Sequence, residues 1–487
     1  MKTNYRKTVR FNGLIAILCV VSFVITSGTY VSTAMAAPNT FSNHVSTVYV
    51  ALDGNDANRG TKDKPYATLQ KAMDTAPTGS VFWIRGGVYH QRLTIHRSGG
   101  RDGDFLTVES YPGEHAVLDG HGLASRDGGL IQIVDSNNIR IRNVTIQDYQ
   151  TDSPNDTPMG IEVTGHDSNI QLLNNHIMHV ATWVNSADGN AHGISVYGNE
   201  TTPIDHLVIT GNTIDHLRLG SSETIALNGN VTHLVVSRNV IHDCNNIGID
   251  VIGFEGTAPT THLDRARDGL ISLNTVYNIS SYGNPAYGKQ YAADGIYVDG
   301  GTNVHILSNR VFQDDYGIEL ASEHANGSTT NVLVNDNLIY NNRAAGISMG
   351  GYDEKRGYTA DCQIEHNTLY ENDSLNQGMG QIFFAFDTRF LTVTRNIFDG
   401  GNDGNLLVDP FMQNHGNHVE DNVWFTTAGV ENAVFERKNQ SHQRFQKYQK
   451  ETGNDVISRF VQPLLFNPGK GDFRQARNSP AFGYGTE

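Results

Sequence analysis

Short runs of alternating apolar and polar residues recur along most of the chain. Ten of these runs lead into the pattern Asn-x-apolar, although in the first of them the apolar residue is shifted by one position. Successive asparagines are separated by 26 residues (Asn396 to Asn422) to 37 residues (Asn175 to Asn212). A strand pattern that recurs at irregular intervals of this size is typical of a solenoid with one coil per repeat and loops of variable length. The ten positions are Asn143, Asn175, Asn212, Asn239, Asn274, Asn309, Asn337, Asn367, Asn396 and Asn422.

A second strand element, most often Gly-Ile-x-apolar, lies between successive asparagines. Because side chains alternate across a strand, the Ile and the last apolar residue point inward and the x residue points outward. Each coil then has at least two short strands that stack on those of its neighbours. This predicts an all-β fold, a parallel β-helix of about 10–12 coils, with the asparagines forming an internal amide ladder. The units begin at Gly160, Gly193, Thr224, Gly248, Gly295, Gly317, Gly346 and Gln381.

The two ends of the repeat region have different patterns. Residues 47–50 and 81–84 are strand-like, and residues 64–74 have apolar residues at helical spacing. Residues 441–451 are polar and helical in pattern, and they suit the cap that a solenoid needs to protect its edge strands. The predicted organisation is a signal peptide (1–36), a disordered leader (37–46), an N-terminal cap with the first coils (47–128), the β-helix repeats (129–430) and a C-terminal cap (431–487).

The first 36 residues have the features of a secretory signal peptide. A basic segment precedes the apolar run 14–24, and Ala34-Met-Ala36 supplies a small-x-small cleavage pattern. We therefore expect a secreted, extracellular protein. Removing the four basic residues of this segment changes the formal net charge from −16 to −20. Such an acidic chain argues against nucleic acids and anionic membranes as partners. Cys244 and Cys362 remain and are expected to be buried free thiols.

Several segments resemble a known family. The opening Tyr-Val-Ala-Leu-Asp-Gly (49–54), the segment Pro-Tyr-Ala-Thr-Leu-Gln (65–70) and the turn Arg-Gly-Gly-Val-Tyr (85–89) are similar to the start of secreted, pectate-lyase-like right-handed β-helix proteins. The end, with Phe-Asn-Pro-Gly-Lys-Gly-Asp-Phe-Arg (466–474) and Asn-Ser-Pro-Ala (478–481), is similar to theirs as well. The resemblance implies a right-handed coil and a polysaccharide-active superfamily. That superfamily holds lyases, hydrolases and transferases, so the resemblance leaves the reaction open.

Carboxylates distinguish two of the Gly-Ile units from the others. Asp294 and Asp299 lie on one unit, and Glu319 and Glu323 lie on or beside the next. Neighbouring coils are about 4.8 Å apart and two residues along a strand cover about 6.6 Å. Asp299 and Glu319 are therefore expected to be diagonal neighbours, about 8 Å apart at Cα by this geometry. The outward residues of successive units stack as Asp250, Tyr297, Glu319 and Ser348.

Paired carboxyl groups across a groove are what glycoside hydrolysis requires, because one must protonate the leaving oxygen while the other is ionised. Crowding of acids raises at least one pKa, which suits a general acid. We predict a glycoside hydrolase in which Asp299 is the nucleophile or base and Glu319 is the general acid. Asp294 and Glu323 are further candidates for these roles. No cofactor is required, and calcium binding by the same acids is an alternative interpretation.

Long loops border these strands at 183–191, 253–269 and 280–293, and the last of them contains Tyr282, Tyr287 and Tyr291. Tyrosine rings pack well on sugar rings, so the loops are expected to wall a groove for a polysaccharide or oligosaccharide. Taken alone, Glu162 and Asp250 are expected to be solvated. The predicted substrate-binding residues are Tyr297, Tyr291, Tyr287, Asp250, His324 and Tyr352.

Two other functions remain open from the sequence. A polysaccharide lyase acting by β-elimination on a uronate polymer would need a base beside the uronate and a cation to neutralise its carboxylate. Of the bases near this face, only Lys289 lies in a groove loop; the others are Arg343, Lys355, Arg356 and Arg389. A non-catalytic glycan-binding or surface solenoid would have the same coils and loops without using the acids.

Overall fold

The computed structural model describes residues 46–101 and 103–486. The predicted signal peptide and the predicted leader up to residue 45 lie outside the described residues. In the described part of the chain, twelve successive turns of backbone contribute a strand to each of three sheets. This confirms the all-β fold, a right-handed parallel β-helix of the predicted size. No helix among the described residues is long and apolar enough to cross a bilayer.

The three sheets run along the solenoid axis and are named here by position. The groove sheet contains Leu93–Ile95, Gly128–Val134, Pro158–Thr164, His192–Gly198, Ile225–Gly229, Ile249–Ile252, Asp294–Asp299, Tyr316–Ala321, Ala345–Met349, Ile382–Phe384, Asn405–Val408, Val434–Arg437 and Gln440–Gln443. The flank sheet contains Thr47–Val50, Val81–Ile84, Leu106–Ser110, Asn137–Arg142, Ser168–Leu173, Ile204–Thr210, Val231–Ser237, Arg267–Ser272, Thr302–Leu307, Ser328–Asn335, Tyr358–Ala360, Gln363–Glu365, Thr388–Arg389, Thr392–Thr394 and His418–Glu420. The back sheet contains Gly87–Tyr89, Ala116–Asp119, Thr145–Gln147, His176–Met178, Thr213–Asp215, Val240–His242, Thr275–Tyr277, Arg310–Phe312, Leu338–Tyr340, Thr368–Tyr370, Ile397–Asp399, Val423–Phe425 and Arg459–Phe460.

The predicted register of the Gly-Ile units is confirmed. Ile296 pairs with Ile318 and Val298 pairs with Leu320, in parallel. The inward isoleucines form a fully buried column through the core, which stabilises the solenoid because each coil covers the apolar residues of the next. Its members are Ile131, Ile161, Ile194, Ile225, Ile249, Ile296, Ile318, Ile347 and Ile382.

The predicted asparagine ladder runs from Asn175 to Asn422 at the turn between the flank and back sheets. At each step one amide oxygen accepts from the backbone N–H and the side-chain amide of the preceding coil, as in Asn239 to Asn274 at 2.9 and 3.0 Å. Asn143 was predicted to belong to this ladder, and that prediction is wrong. Asn143 is exposed with a positive φ of 54°, and the inward place is taken by Val144, whose backbone N–H reaches Asn175. Asparagine tolerates that left-handed turn position, which explains the misleading match.

A second polar ladder lies at the entrance to the groove sheet and was not predicted. Its members are Asp314, Asn342, Asn372 and Gln381, all with exposures of 1% or less. Asn342 Oδ1 accepts from the Asp314 backbone N–H at 2.9 Å, and Asn372 Oδ1 accepts from the Asn342 side-chain amide at 2.8 Å. Asp314 holds the turn that leads into the strand of Glu319, and the other three members hold the turns before the next two groove strands.

Both ends carry helices, with bounds that differ from the predicted ones. The N-terminal helix is Leu69–Thr75, and it begins after Thr68 because the Thr68 hydroxyl accepts a hydrogen bond from the Lys71 N–H. The C-terminal helix is Phe445–Thr452, and a 3₁₀ turn follows at Pro468–Lys470. Two small two-stranded sheets pair Gln150–Thr151 with Ala181–Thr182 and Leu465–Asn467 with Asp472–Gln475. Cys244 and Cys362 are buried free thiols, as predicted.

Candidate active site

Three columns of outward side chains run along the groove sheet. At each Gly-Ile unit the glycine points inward as well as the isoleucine: a Cβ on Gly295 would lie 2.5 Å from Val311 Cγ1. The strand bends there, so the residue before the glycine faces outward and adds a column to the two expected from simple alternation. The first column includes His192, Glu223, Ile247, Asp294 and Tyr316; the second includes Glu162, Ser195, Asp250, Tyr297, Glu319 and Ser348; the third includes Tyr197, Asn228, Ile252, Asp299 and Ala321.

Asp294 and Glu319 form a hydrogen-bonded carboxyl pair between neighbouring coils. Asp294 is buried, whereas Glu319 keeps part of its surface accessible from the groove. The Ser348 hydroxyl donates to Glu319 Oε1 at 2.9 Å. Burial raises the pKa of both carboxyl groups, and the Glu319 charge raises that of Asp294 further. Two carboxyl groups in contact cannot both ionise readily, so the pair shares a proton at neutral pH.

Asp299 lies diagonally from Glu319, as the register predicted, because Asp299 pairs with Ala321 and Tyr297 pairs with Glu319. Asp299 Oδ1 accepts from the Glu323 backbone N–H at 2.8 Å. Burial raises the Asp299 pKa well above its usual value, and neighbouring carboxylates raise it further. The site therefore has a proton-sharing pair and a third carboxyl group one step along the strand.

Glu255, Asp299 and His324 are arranged so that one ligand atom from each lies within 4.8 Å of the others. Carboxylate and imidazole ligands suit several divalent metals, and the two carboxylates suit calcium. These three residues would be the ones to hold a cation beside the carboxyl pair. Glu323 itself is exposed at the groove rim, where its carbonyl accepts from Arg356 at 3.0 Å.

Asp250 was expected to be solvated, and that prediction is wrong. Only 3% of Asp250 is exposed, and its Oδ1 has no hydrogen-bond partner. Burial raises its pKa well above the usual value, and the charge of Glu223 adds to the effect. The expected solvation of Glu162 is also wrong, because Glu162 is 9% exposed and accepts hydrogen bonds from Gly129 N–H and Gln132.

The tyrosines predicted to bind substrate occupy different environments. Tyr297 is 3% exposed and packs against Ile247 and Ala321, so its ring is part of the wall and offers no open face. Tyr287 is partly buried, and its hydroxyl accepts from the Asn246 amide at 3.3 Å. Tyr291 stacks on Tyr282 in the same loop at 4.8 Å between ring centroids. Tyr352, which is 55% exposed, presents a ring to solvent beside Glu323 and carries Arg356 over one face at 4.3 Å.

Comparison with known proteins agrees with this architecture. The family model described as Pel9A-like, right handed beta helix region matches residues 48–202, and the one described as right handed beta helix region matches residues 159–355. The chain is 39% identical over 436 residues to the uncharacterized protein YwoF of Bacillus subtilis (strain 168), which covers 89% of this chain and 92% of that protein. The chain belongs to the YwoF family of pectate-lyase-like right-handed β-helix proteins.

More distant likenesses involve carbohydrate enzymes. The YwoF-family chain is 31% identical over 104 residues to pectate lyase PEL9 of Emericella nidulans, which covers 21% of this chain and 25% of that enzyme. Among solved structures, a GH136 lacto-N-biosidase from Eubacterium ramulus has a TM-score of 0.49 at 14% identity, covering 85% of this chain and 67% of that one. The structure of pectate lyase Pel9A has a TM-score of 0.41 at 13% identity, covering 91% of this chain and 93% of that one.

Sequence reasoning missed two acids of this YwoF-family protein that belong to the same surface. Glu223 precedes Thr224 in the first column, where Asp294 precedes Gly295, and Glu255 follows the strand of Asp250. Glu223 could have been found by inspecting the residue that precedes each Gly-Ile-type unit, but simple strand alternation places that residue inward. Burial raises the Glu223 pKa to about 8, and the charge of Glu255 contributes.

Proposed function

We propose that this protein is a secreted carbohydrate-active enzyme, a glycoside hydrolase that cleaves a polysaccharide or oligosaccharide. The observation that carries the proposal is the Asp294–Glu319 carboxyl pair, which retains a proton in a groove beside a third acid. The resemblance of one segment to a pectate lyase supports a carbohydrate substrate.

In this mechanism Glu319 protonates the leaving glycosidic oxygen, because its carboxyl group is the accessible member of the pair. Asp294 lies behind it, holds it by a hydrogen bond and keeps the shared proton on the pair. Ser348 fixes the Glu319 carboxyl from the next coil. Asp299, once ionised, acts on the sugar or on a water as nucleophile or base.

Elimination on a uronate polymer is the second candidate, and one arrangement favours it. Glu255, Asp299 and His324 would hold a cation near Arg356, and a cation or guanidinium can neutralise a uronate carboxylate. Lys289, the base in the groove loop, is exposed. The larger number of carboxyl groups in the groove argues for hydrolysis, because they repel a polyanion.

One assay separates the candidates. The protein is incubated with a panel of neutral, amino and uronic acid polysaccharides, while reducing ends and the ultraviolet absorbance of unsaturated uronates are followed together. New reducing ends without absorbance are expected for hydrolysis. Reducing ends with absorbance would replace the first candidate by the second, and binding without either signal would indicate a non-catalytic glycan-binding solenoid.

A further inference from the structure

A polar cavity of about 540 Å³ lies on the groove sheet, on the coils that precede the carboxyl pair along the chain. Its floor is formed by column residues of three successive strands, and its rim by loop residues such as Asp127, Asn190 and Glu255. The column residues are Met159, Glu162, Thr164, His192, Tyr197 and Asn228. Neither member of the Asp294–Glu319 pair lines it, so it is a separate compartment of the same groove.

The charged groups that line this cavity are all acidic. Four carboxyl groups line it: those of Asp127, Glu162, Glu223 and Glu255. Within the described part of the chain, no lysine or arginine is among the lining residues. A ligand carrying negative charge would therefore be repelled, whereas a positive group would be attracted by several carboxylates at once.

His192 does not change this balance, although it lies at the floor. Burial lowers its pKa to about 4, so the ring is neutral. Its Nδ1 lies 3.0 Å from the Glu223 carbonyl oxygen, which can only accept, so Nδ1 carries the hydrogen. Nε2 then accepts from the Tyr197 hydroxyl at 3.0 Å. Both ring nitrogens are thus used within the wall.

The wall also holds an acceptor that lacks a donor. Asn228 is 3% exposed, and its Nδ2 donates to Glu255 Oε2 at 2.6 Å. Its Oδ1 is buried without a partner. A buried oxygen with no donor costs about 1–3 kcal/mol unless a ligand or water supplies one. On the adjoining coil Asp250 Oδ1 is in the same condition. An occupant that donates a hydrogen bond to Asn228 Oδ1 would remove this cost.

We propose that this cavity is a subsite for a sugar unit with a free, positively charged amino group. This inference rests on the proposed function, because it places an amino sugar of a glycan substrate next to the cleavage site. The ammonium group would donate to Asn228 Oδ1 and lie between the carboxyl groups of Glu223 and Glu255. Burial raises the pKa of Glu223 to about 8 in the free protein, so Glu223 would release its proton when the cation binds. Three ammonium hydrogens match several acceptors, which a hydroxyl with one hydrogen cannot do.

Binding of three oligosaccharide classes tests the proposal. Glucosamine oligomers, fully N-acetylated oligomers of the same length and galacturonate oligomers are titrated calorimetrically at pH 6 into the Glu319→Gln variant, which cannot protonate a leaving group. We expect the glucosamine oligomers to bind at least about tenfold more tightly than the acetylated ones, and more weakly as salt is added. Galacturonate oligomers should not bind.

Two further variants locate the effect. Glu223→Gln, combined with Glu319→Gln, should remove most of the preference for the free amine, whereas Glu431→Gln, on an exposed acid paired with Arg444, should leave it unchanged. Equal binding of acetylated oligomers, tighter binding of uronates, or an unaltered preference in the Glu223 variant would overturn the inference. Cleavage of another glycan without glucosamine binding would overturn this inference alone. Failure to bind or cleave every glycan tested would overturn the proposed function as well.

Discussion

The asparagine ladder and the acidic groove are two buried polar regions of this solenoid, and they differ in whether their polar atoms have hydrogen-bond partners. In the asparagine ladder every amide both donates and accepts, as Asn274 does with Val236, Asn239 and Asn309. In the acidic groove Asp250 and Asp294 each have a buried oxygen without a partner. An amide is self-complementary and stacks without limit, whereas neighbouring carboxylates repel unless a proton or cation lies between them. The ladder is therefore scaffold, and the groove is a surface arranged for a ligand.

The largest expected effect is on catalysis in the groove. Glu319→Gln keeps the shape of the side chain but removes the proton that the leaving oxygen requires. We expect kcat/KM to fall about 10²- to 10⁴-fold, with no loss of melting temperature, because the amide replaces a group whose ionisation burial disfavours. Activity on the glycan identified by the panel and thermal unfolding are measured together. Unchanged activity would remove Glu319 from the mechanism.

The next effect is on stability in the ladder. Asn274→Ala removes the donor to the Val236 carbonyl oxygen and the acceptor of the Asn239 backbone N–H, while the Asn239 side-chain amide keeps only its hydrogen bond to the Ile209 carbonyl oxygen. Unmet buried groups cost about 1–3 kcal/mol each, partly relieved by relaxation, so we expect a loss of about 3 kcal/mol in the free energy of unfolding. Denaturant unfolding measures it. The matched control is Asn143→Ala, at the exposed turn, with an expected loss of about 1 kcal/mol for the left-handed backbone. Equal losses at the two positions would contradict the distinction between ladder and turn.

These positions also show what could be predicted from the sequence. The diagonal relation of Asp299 and Glu319 follows from the strand period and the register of the Gly-Ile units, which are local properties of the chain. Asp294 faces outward because the strand bends at Gly295, and the two-residue alternation of side chains along a regular strand does not predict such a bend. The burial of Asp250 does not follow from its own strand, because alternation places its side chain outward and yet only 3% of it is exposed. Asn143 matches the ladder motif but lies one residue out of phase.

A smaller effect concerns pH. The pKa of Glu319 is raised to about 7 in the folded protein, first by burial, so the folded state holds its proton more tightly than the unfolded chain does. The protonated Glu319 side chain therefore favours the folded state at pH values below its pKa in the unfolded chain, and this contribution to stability is lost as pH rises from about 4.5 towards 7. Relative to the wild-type protein, Glu319→Gln should gain roughly 1–2 kcal/mol between pH 5 and pH 8. Thermal unfolding across this range checks it, with Glu431→Gln expected to parallel the wild type.

The smallest expected effect is on stability and concerns Asp314, the acid in the second polar ladder. Asp314 is fully buried in a place where the next two coils have Asn342 and Asn372; its Oδ1 accepts from the Ile279 N–H at 2.8 Å, but its Oδ2 has no partner. Burial raises the Asp314 pKa well above its usual value, so the side chain destabilises the fold increasingly as pH rises above the unfolded value near 4.

Asp314→Asn places an amide where Oδ2 now lies, and this amide can donate as the Asn342 amide does to Asn372 Oδ1 and the Val311 carbonyl oxygen. We expect a gain of about 1 kcal/mol in the free energy of unfolding at pH 8 and little change at pH 4, where aspartic acid already carries a hydrogen. Denaturant unfolding at both pH values measures it, against Asp63→Asn at an exposed position. A loss of stability at pH 8 would contradict this expectation. It would mean that the Asp314 carboxylate makes contacts that an amide cannot make, and that the second ladder, like the groove, is arranged around a carboxyl group.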